Sequence, residues 1–423
     1  MRHIHDPLRA IEDAIGGANR LFLRALRRRA MEESPTVYLV GGPVRDVLLG
    51  FPVQDLDFVV EGDAPALARS LALELGGQVK VHPRFGTATV ALGGSSIDLV
   101  TARRETYPRP GDLPQVTPGT IQEDLARRDF SINALAVALG EQRPGIIDPL
   151  GGLNDLAAGL VRILHGRSFI DDPTRILRAV RYEQRLGFAL EKESRSRLHD
   201  ALAGGYVAAV SGDRLRHELE RILEERDPLP ALLRAADLGV LGAIHPALGA
   251  GAGLARLAAR PPATEEACRR AGPLVYLAAL VYQLSPSEGE SLTHRLSLPA
   301  SLARVVRDTI ELRQRESSLA GCALAASQIY YLVQGLADPA VAAVAAITPS
   351  EPVARRLAQY VNELARVRPL LRGDDLMAMG VPPGPPVGEV LGRLRQARLD
   401  REVFSEEDER RLVREILVGK RGA

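Results

Sequence analysis

Cysteine, tryptophan and histidine are all in short supply in this 423-residue chain, and each shortage excludes something. Two cysteines, Cys268 and Cys322, allow neither a disulfide framework nor a cysteine-ligated zinc site. The eight histidines never fall at H-x3-H or HExxH spacing, which removes the common histidine-based metal centres. Aromatics make up 4% of the chain, with no Trp, so base-stacking platforms of the kind found in single-strand RNA readers are not expected. No apolar run reaches transmembrane length, and no membrane association is expected. An excess of either charge is also missing. The 54 Lys plus Arg against 53 Asp plus Glu leave +1, which excludes a wholesale polycation but allows a local basic groove. Arginine far outnumbers lysine, which suits phosphate recognition, although a GC-rich genome gives the same bias. The stretch "RLFLRALRRRA" is basic and amphipathic, yet Asp6, Glu12, Asp13, Glu32 and Glu33 surround it, and a transit peptide would be poor in acids. A reducing, cytoplasmic setting is expected.

A chain of this length calls for two or more domains. Residues 1–34 read as a helical leader. Over 35–165 short β-type runs ("TVYLV", "LDFVV", "QVKVH", "TATVAL", "SIDLV") alternate with helical ones, and "LGGSS" (92–96) predicts a hairpin. Residues 103–119, with four prolines and two glycines, read as a long functional loop. From about 166 the pattern is helical. "PTRILRAVRYEQRLGF" (173–188) begins at Pro173 and ends near Gly187, and "RLRHELERILEE" (214–225) repeats Leu215, Leu219 and Ile222. Composition shifts at 250–263 and 380–386 mark turns or boundaries. The expected division is a leader (1–34), a head (35–165), a helical neck (166–230), a helical body (231–330) and a helical tail (331–423).

Two constellations carry chemistry. In "FPVQDLDFVVEG" (51–62), Asp55 and Asp57 are two apart in a strand-like run, which places both on one face while Leu56 and Phe58 enter the core. Like charges so close call for a cation between them. Just upstream, "YLVGGPVRDVLLG" (38–50) ends a strand at Gly41-Gly42 and starts a helix, a turn whose free N–H groups suit an anion. It is neither a Walker A sequence nor GxGxxG. A phosphate cradle beside two metal-binding carboxylates is the minimum equipment for metal-assisted nucleotidyl transfer.

Together, "GGPVRD" and "DLDF" resemble the first motif of the tRNA nucleotidyltransferase and poly(A) polymerase family, class II, within the DNA polymerase β nucleotidyltransferase superfamily. "RRDFSINALA" (127–136), "DPLGGLNDL" (148–156), "DDPTRILRAVRY" (171–182) and "GDRLRHELERIL" (212–223) resemble its next motifs in order, strongly over 36 to about 225 and loosely beyond. The resemblance implies an α/β nucleotidyltransferase head, a small mixed β-sheet with helices, followed by an all-helical neck, body and tail. It implies Mg2+ at Asp55 and Asp57, with Asp98 of "SSIDLV" as a candidate third carboxylate. Gly41, Gly42 and Arg45 then belong to the nucleotide site, as do Arg128, Asp129 and Asn133, which match positions for sugar and phosphates. Arg175, Arg178 and Arg181 recur every three residues as a basic stripe beside the triphosphate.

Base choice falls to Asp172 and Arg175, three apart on a predicted helix and hence on one face, where the alternative is a plain i,i+3 ion pair. A carboxylate only accepts and a guanidinium only donates, so the pair complements cytosine and adenine edges and mismatches uracil and guanine. The family's usual Glu-Asp is Asp171-Asp172 here, which shortens the reach of the first acid. The implied reaction is template-independent addition of C and A to tRNA 3′ ends from CTP and ATP with release of pyrophosphate. The implied partner is the acceptor half of tRNA, read by shape and phosphates along arginine-rich helices at 302–315 and 391–401. Alternatives are a partial enzyme adding only the terminal A or only CC, a poly(A) polymerase, and a non-catalytic RNA-binding protein. The ending "EILVGKRGA" lacks the basic extension usual in bacterial poly(A) polymerases, and the intact carboxylates argue against a decayed enzyme.

Overall fold

The computed structural model describes residues 4, 6–32, 36–53, 55–83, 86–249, 251–260 and 272–419; Cys268 and the 261–263 end of one expected boundary lie outside them. Two helices open the chain, α1 (Pro7–Ala14) and α2 (Gly17–Glu32), the first capped by Asp6, whose carboxylate accepts the Arg9 N–H. β1 (Thr36–Val40) follows, and α3 (Gly42–Leu49) leads to β2 (Asp57–Glu61). After α4 (Ala64–Leu75) come β3 (Gln78–His82), β4 (Thr87–Leu92) and β5 (Ser95–Thr101). Gly93 and Gly94, both at positive φ, make the two-residue β4–β5 turn that pairs Leu92 with Ser95.

These strands, with β8 (Ala136–Ala138) and β9 (Ile146–Ile147), form a seven-stranded sheet in the order β3-β4-β5-β2-β1-β8-β9. All its pairings are antiparallel except β2–β5. That parallel pair sets Asp57 beside Asp98 and Phe58 beside Leu99. Phe58, Val60, Leu99, Val40 and Leu39 are fully buried; β2 carries Asp57 at its exposed first residue, and β5 alternates, with Ile97 and Leu99 buried and Asp98 exposed.

One expectation is corrected here. Residues 103–119 are not an irregular loop: β6 (Arg103–Thr106) and β7 (Gln115–Pro118) pair antiparallel, Arg103 opposite Pro118 and Thr106 opposite Gln115. The prolines fall between the strands or at their last residue, where no ladder N–H is lost. Then come α5 (Ile121–Ala126), α6 (Gly152–Ala158), α7 (Ser168–Asp171), α8 (Thr174–Leu186), α9 (Lys192–Ala203) and α10 (Gly212–Leu223). α8 ends on Gly187 in the left-handed conformation, as its glycine predicts. Among the described residues beyond 166 the only strand is Ala189–Leu190, two residues paired with Leu160–Val161.

By contact the chain divides into two compact units, Met1–Glu218 with Asp237–Ile244, and Leu219–Ala236 with His245–Ala423. The second is helical throughout its described residues. Its last segment has a core of its own, built from Leu371, Leu376, Val381, Val390, Leu394 and Val413. Glu409, with no exposure, accepts from the N–H groups of Leu370 and Leu371 and from Arg398. Among the described residues no single helix is long and apolar enough to cross a membrane.

Candidate active site

A polar cavity of about 610 Å3 opens in the first unit. Its wall carries eight arginines (45, 103, 127, 128, 175, 178, 185 and 214) and seven carboxylates (46, 55, 57, 105, 129, 172 and 218), so most charges there are held by one another. The informative groups are therefore those left without a partner.

Asp55 and Asp57 are two of these. Both are exposed and line the cavity, and neither side chain makes a hydrogen bond or ion pair among the described residues. The expectation that both ride one strand needs correction, because β2 starts at Asp57 and Asp55 lies in the segment before it. Leu56 and Phe58 are buried as expected. Although Asp57 keeps a face to solvent, burial pushes its carboxyl up. Arg128 opposes that rise, while Asp98 and Asp55 add to it. Asp98 itself does not line the cavity: it sits beside Asp57 on β5 and accepts a 2.6 Å hydrogen bond from Thr89. Among the described residues no group of three His, Cys, Asp or Glu is arranged to hold a metal. The available donor set is thus two unpaired carboxylates, which fits a hard cation such as Mg2+ that keeps waters and takes further oxygens from a phosphate.

Above these carboxylates the chain turns sharply. Gly41 has φ +73°, and a Cβ there would stand 2.7 Å from Nη1 of Arg128, so the turn and that guanidinium pack as a unit. Gly42 opens α3 and lines the cavity, while Gly41 lies just behind the wall. Arg128 is held by Asp124, which is wholly buried and also grips Arg127 at 2.6 Å. The Nε of Arg128 is buried with no partner among the described residues, an unspent donor on a guanidinium that acts on Asp57. α5 is placed from below: Glu61, at the end of β2, accepts from the Ile121 N–H at 2.6 Å and from the Tyr38 hydroxyl, which burial and Glu61 push up to about 12.

The "RRDFSINA" segment forms a buried tie. Asp129 accepts from the Asn133 amide at 2.9 Å and from Arg178 at 2.9 and 2.6 Å, while Asn133 receives Arg45. Burial works against ionisation of Asp129, but Arg178 and Asn133 outweigh it and bring the carboxyl down to about 2. Asp129 is thus an ionised anchor for Arg178 within the cavity wall. The motif at 148–156 has no residue on that wall. Its Asp155 instead accepts from Ser131 and Arg162, which pins the turn (Ser131–Asn133) that presents Asn133.

Asp172 and Arg175, which line the same cavity, do not share a helix. Asp172 is extended, between α7 and α8, and Arg175 lies in the first turn of α8. They form no ion pair with each other. Asp172 takes Thr174 and Arg214 on one oxygen, Oδ1, leaving Oδ2 without a hydrogen bond among the described residues. Arg175 donates to Ser168 and to the Arg127 carbonyl, each at 2.7 Å, and keeps further N–H donors. Both groups line the cavity with capacity to spare. The basic stripe is partly corrected: Arg175, Arg178 and Arg185 face the cavity, whereas Arg181 is buried off the wall against the Tyr182 ring. Residues not anticipated as site members are Arg103, Glu105 and Tyr107 on the hairpin, Tyr182 and Arg185 on α8, and Arg214 and Glu218 on α10. The i,i+4 spacing of Arg214 and Glu218 in a motif already singled out was the available signal for the last pair.

Comparison with known proteins bears on the family and the fold. A family model described as "Poly A polymerase head domain" matches residues 37–162, and another described as "Probable RNA and SrmB- binding site of polymerase A" matches 187–250. An A-adding tRNA nucleotidyltransferase of Geobacter sulfurreducens is 36% identical over 92% of this chain, which spans only 46% of that relative's length. One from Halalkalibacterium halodurans is 34% identical, covering 93% of this chain and 92% of its own. A CC-adding tRNA nucleotidyltransferase of Deinococcus radiodurans is 35% identical over 94% of each. Among solved structures, the Thermotoga maritima CCA-adding enzyme complexed with tRNA matches with TM-score 0.76 and 31% identity over 99% of this chain and 100% of that one. A CCA-adding enzyme complexed with ATP matches with TM-score 0.76 and 30% identity, over 99% and 100%.

Proposed function

The chain belongs to the tRNA nucleotidyltransferase and poly(A) polymerase family, and from that premise we propose that it transfers AMP from ATP to the 3′ end of a tRNA ending in CC. The 3′-oxygen forms a bond to the α-phosphorus, the bond to the β-phosphate breaks, and pyrophosphate leaves. The observation that carries the reading is a single cavity lined both by Asp55 and Asp57, unpaired among the described residues, and by Asp172 and Arg175 with spare hydrogen-bonding capacity.

A divalent cation such as Mg2+ on Asp55 and Asp57 would supply charge stabilisation at the α-phosphate and lower the pKa of the attacking hydroxyl. The protein groups do the rest. Arg128, Arg178 and Arg45, with the N-terminus of α3, take the triphosphate; Asn133 and Asp129 hold those guanidiniums in place. Asp172 Oδ2 accepts an exocyclic amino group and Arg175 donates to the neighbouring ring nitrogen, a pattern met by adenine and cytosine alone. Asp98 acts through its charge on Asp57 rather than as a ligand. Residues 1–34, 35–165 and 166–230 then serve as leader, catalytic head and base-selecting neck, and 231–330 and 331–423 as a body and a tRNA-binding tail.

Addition of the full CCA is the second reading. It is favoured by the ordered β6–β7 hairpin, which presents Arg103, Glu105 and Tyr107 to the cavity, and by the likeness to CCA-adding enzymes over nearly the whole chain. The deciding experiment incubates the protein with Mg2+ and tRNA transcripts ending at the discriminator base, at C, or at CC, with each NTP supplied separately. Incorporation of A into the CC-ended transcript is expected. C incorporation into the shorter ones together with A into the CC-ended one establishes the second reading, whereas C without A, or transfer to none of them, refutes both.

A further inference from the structure

Tyr182 contributes no recognised chemistry, yet three guanidiniums crowd its ring. Arg45, Arg178 and Arg181 stand 5.1, 5.7 and 4.8 Å from its centroid, and Phe130 meets it edge-on at 5.8 Å. The three cations come from two helices far apart in sequence, α3 and α8. Like charges gathered this closely repel unless something of opposite sign lies among them. Carboxylates supply part of it, through Asp46 on Arg45 and through Asp129 and Glu218 on Arg178. The negative face of the aromatic ring adds to it, and its effect grows where water is excluded. Tyr182 and Arg45 are both buried. Arg45, Arg178 and Tyr182 all line the cavity, so the ring steadies cations that face it.

From this geometry we infer that Tyr182 is a positioning residue for the triphosphate. Its ring holds Arg45 and Arg178 together as one anion-binding wall. This rests on the nucleotide-site reading given above. It predicts that the ring quadrupole, rather than the volume, sets most of the affinity for the polyphosphate irrespective of base, with a smaller part from the hydroxyl, which hydrogen-bonds Arg45.

The test uses the full-length protein with Tyr182 replaced by Phe and by phenylalanines carrying one to three ring fluorines, which keep the shape and drain the π face stepwise. ATP binding is measured directly without tRNA, alongside competition by inorganic tripolyphosphate. With two cavity-facing guanidiniums on the ring, the trifluorinated variant should bind both ligands roughly 10-fold more weakly, equivalent to about 1.4 kcal/mol, in steps with fluorination. Tyr182→Phe should restore affinity to within about twofold. In turnover with tRNA, KM for ATP should rise while kcat and KM for tRNA hold. Affinity flat across the fluorinated series overturns the inference, as does a loss confined to ATP with tripolyphosphate unaffected, which would mean stacking on the base. If the parent protein binds ATP but transfers nothing, the transfer reading fails while this one stands.

Discussion

Asp57 carries no hydrogen bond of its own, whereas Asp129 is held by Arg178 and Asn133, and the two carboxylates differ accordingly. Asp57→Ala should remove transfer by more than about 10³-fold, because the cation loses a ligand. ATP and tRNA binding should persist, and residual transfer near the parent rate would contradict the metal assignment. Asp129, held at about 2, contributes stability that is complete above its unfolded pKa of about 4 and is lost as pH falls from there through about 2. The shift corresponds to roughly 2 kcal/mol. Urea unfolding of the parent and of Asp129→Asn should therefore converge as pH drops from 5 to 2.5, and parallel curves would show the tie to be worth nothing. Asp172→Ala should cut discrimination against UTP and GTP by roughly 10- to 100-fold, scored on CC-ended tRNA with each NTP. These acidic residues were legible in the sequence because their motif spacing is local. Tyr182, Arg185 and Arg214 were not, because what brings them to the cavity is the packing of one helix beside another.

At the scale of elements, close approaches do the positioning. A Cβ on Gly152 would lie 2.3 Å from the Ser131 carbonyl oxygen, so α6 can sit against the Ser131–Asn133 turn only with glycine there. Gly152→Ala should cost roughly 1–3 kcal/mol in chemical denaturation and weaken ATP binding through Asn133; an unaltered midpoint would rule out the contact. The hairpin at 103–119 shows how local reading fails. Four prolines and two glycines look like irregular chain, yet three of the prolines fall between the strands and Pro118 takes the last rung, and the pairing turns Glu105 toward Arg103, Arg127 and Tyr107. The arginine-rich helices at 302–315 and 391–401 are likewise less open than their composition implies. Arg304 and Arg307 pair with Asp308, Arg313 donates to backbone carbonyls, and Arg398 serves the buried Glu409.

Across the whole molecule, two compact units with separate cores should not melt as one. Calorimetry should resolve two transitions, and saturating ATP with Mg2+ should raise only the one belonging to the unit that holds the cavity. A single transition, or an equal shift in both, would contradict this. The sequence by itself determined the order of α/β head and helical remainder and singled out Asp55, Asp57, Asp172 and Arg175, all of which line the cavity. Periodicity and motif spacing are properties of neighbouring residues, and they survive without any knowledge of packing. Only the tertiary structure decided how those residues are used. Asp172 pairs with Arg214, 42 positions away, instead of with Arg175, and Asp129 pairs with Arg178 across 49. Arg181 turns to a ring instead of to the cavity. Which charges end up paired, and which stay free to meet a nucleotide, depends on distances that exist only once the sheet and α8 have packed.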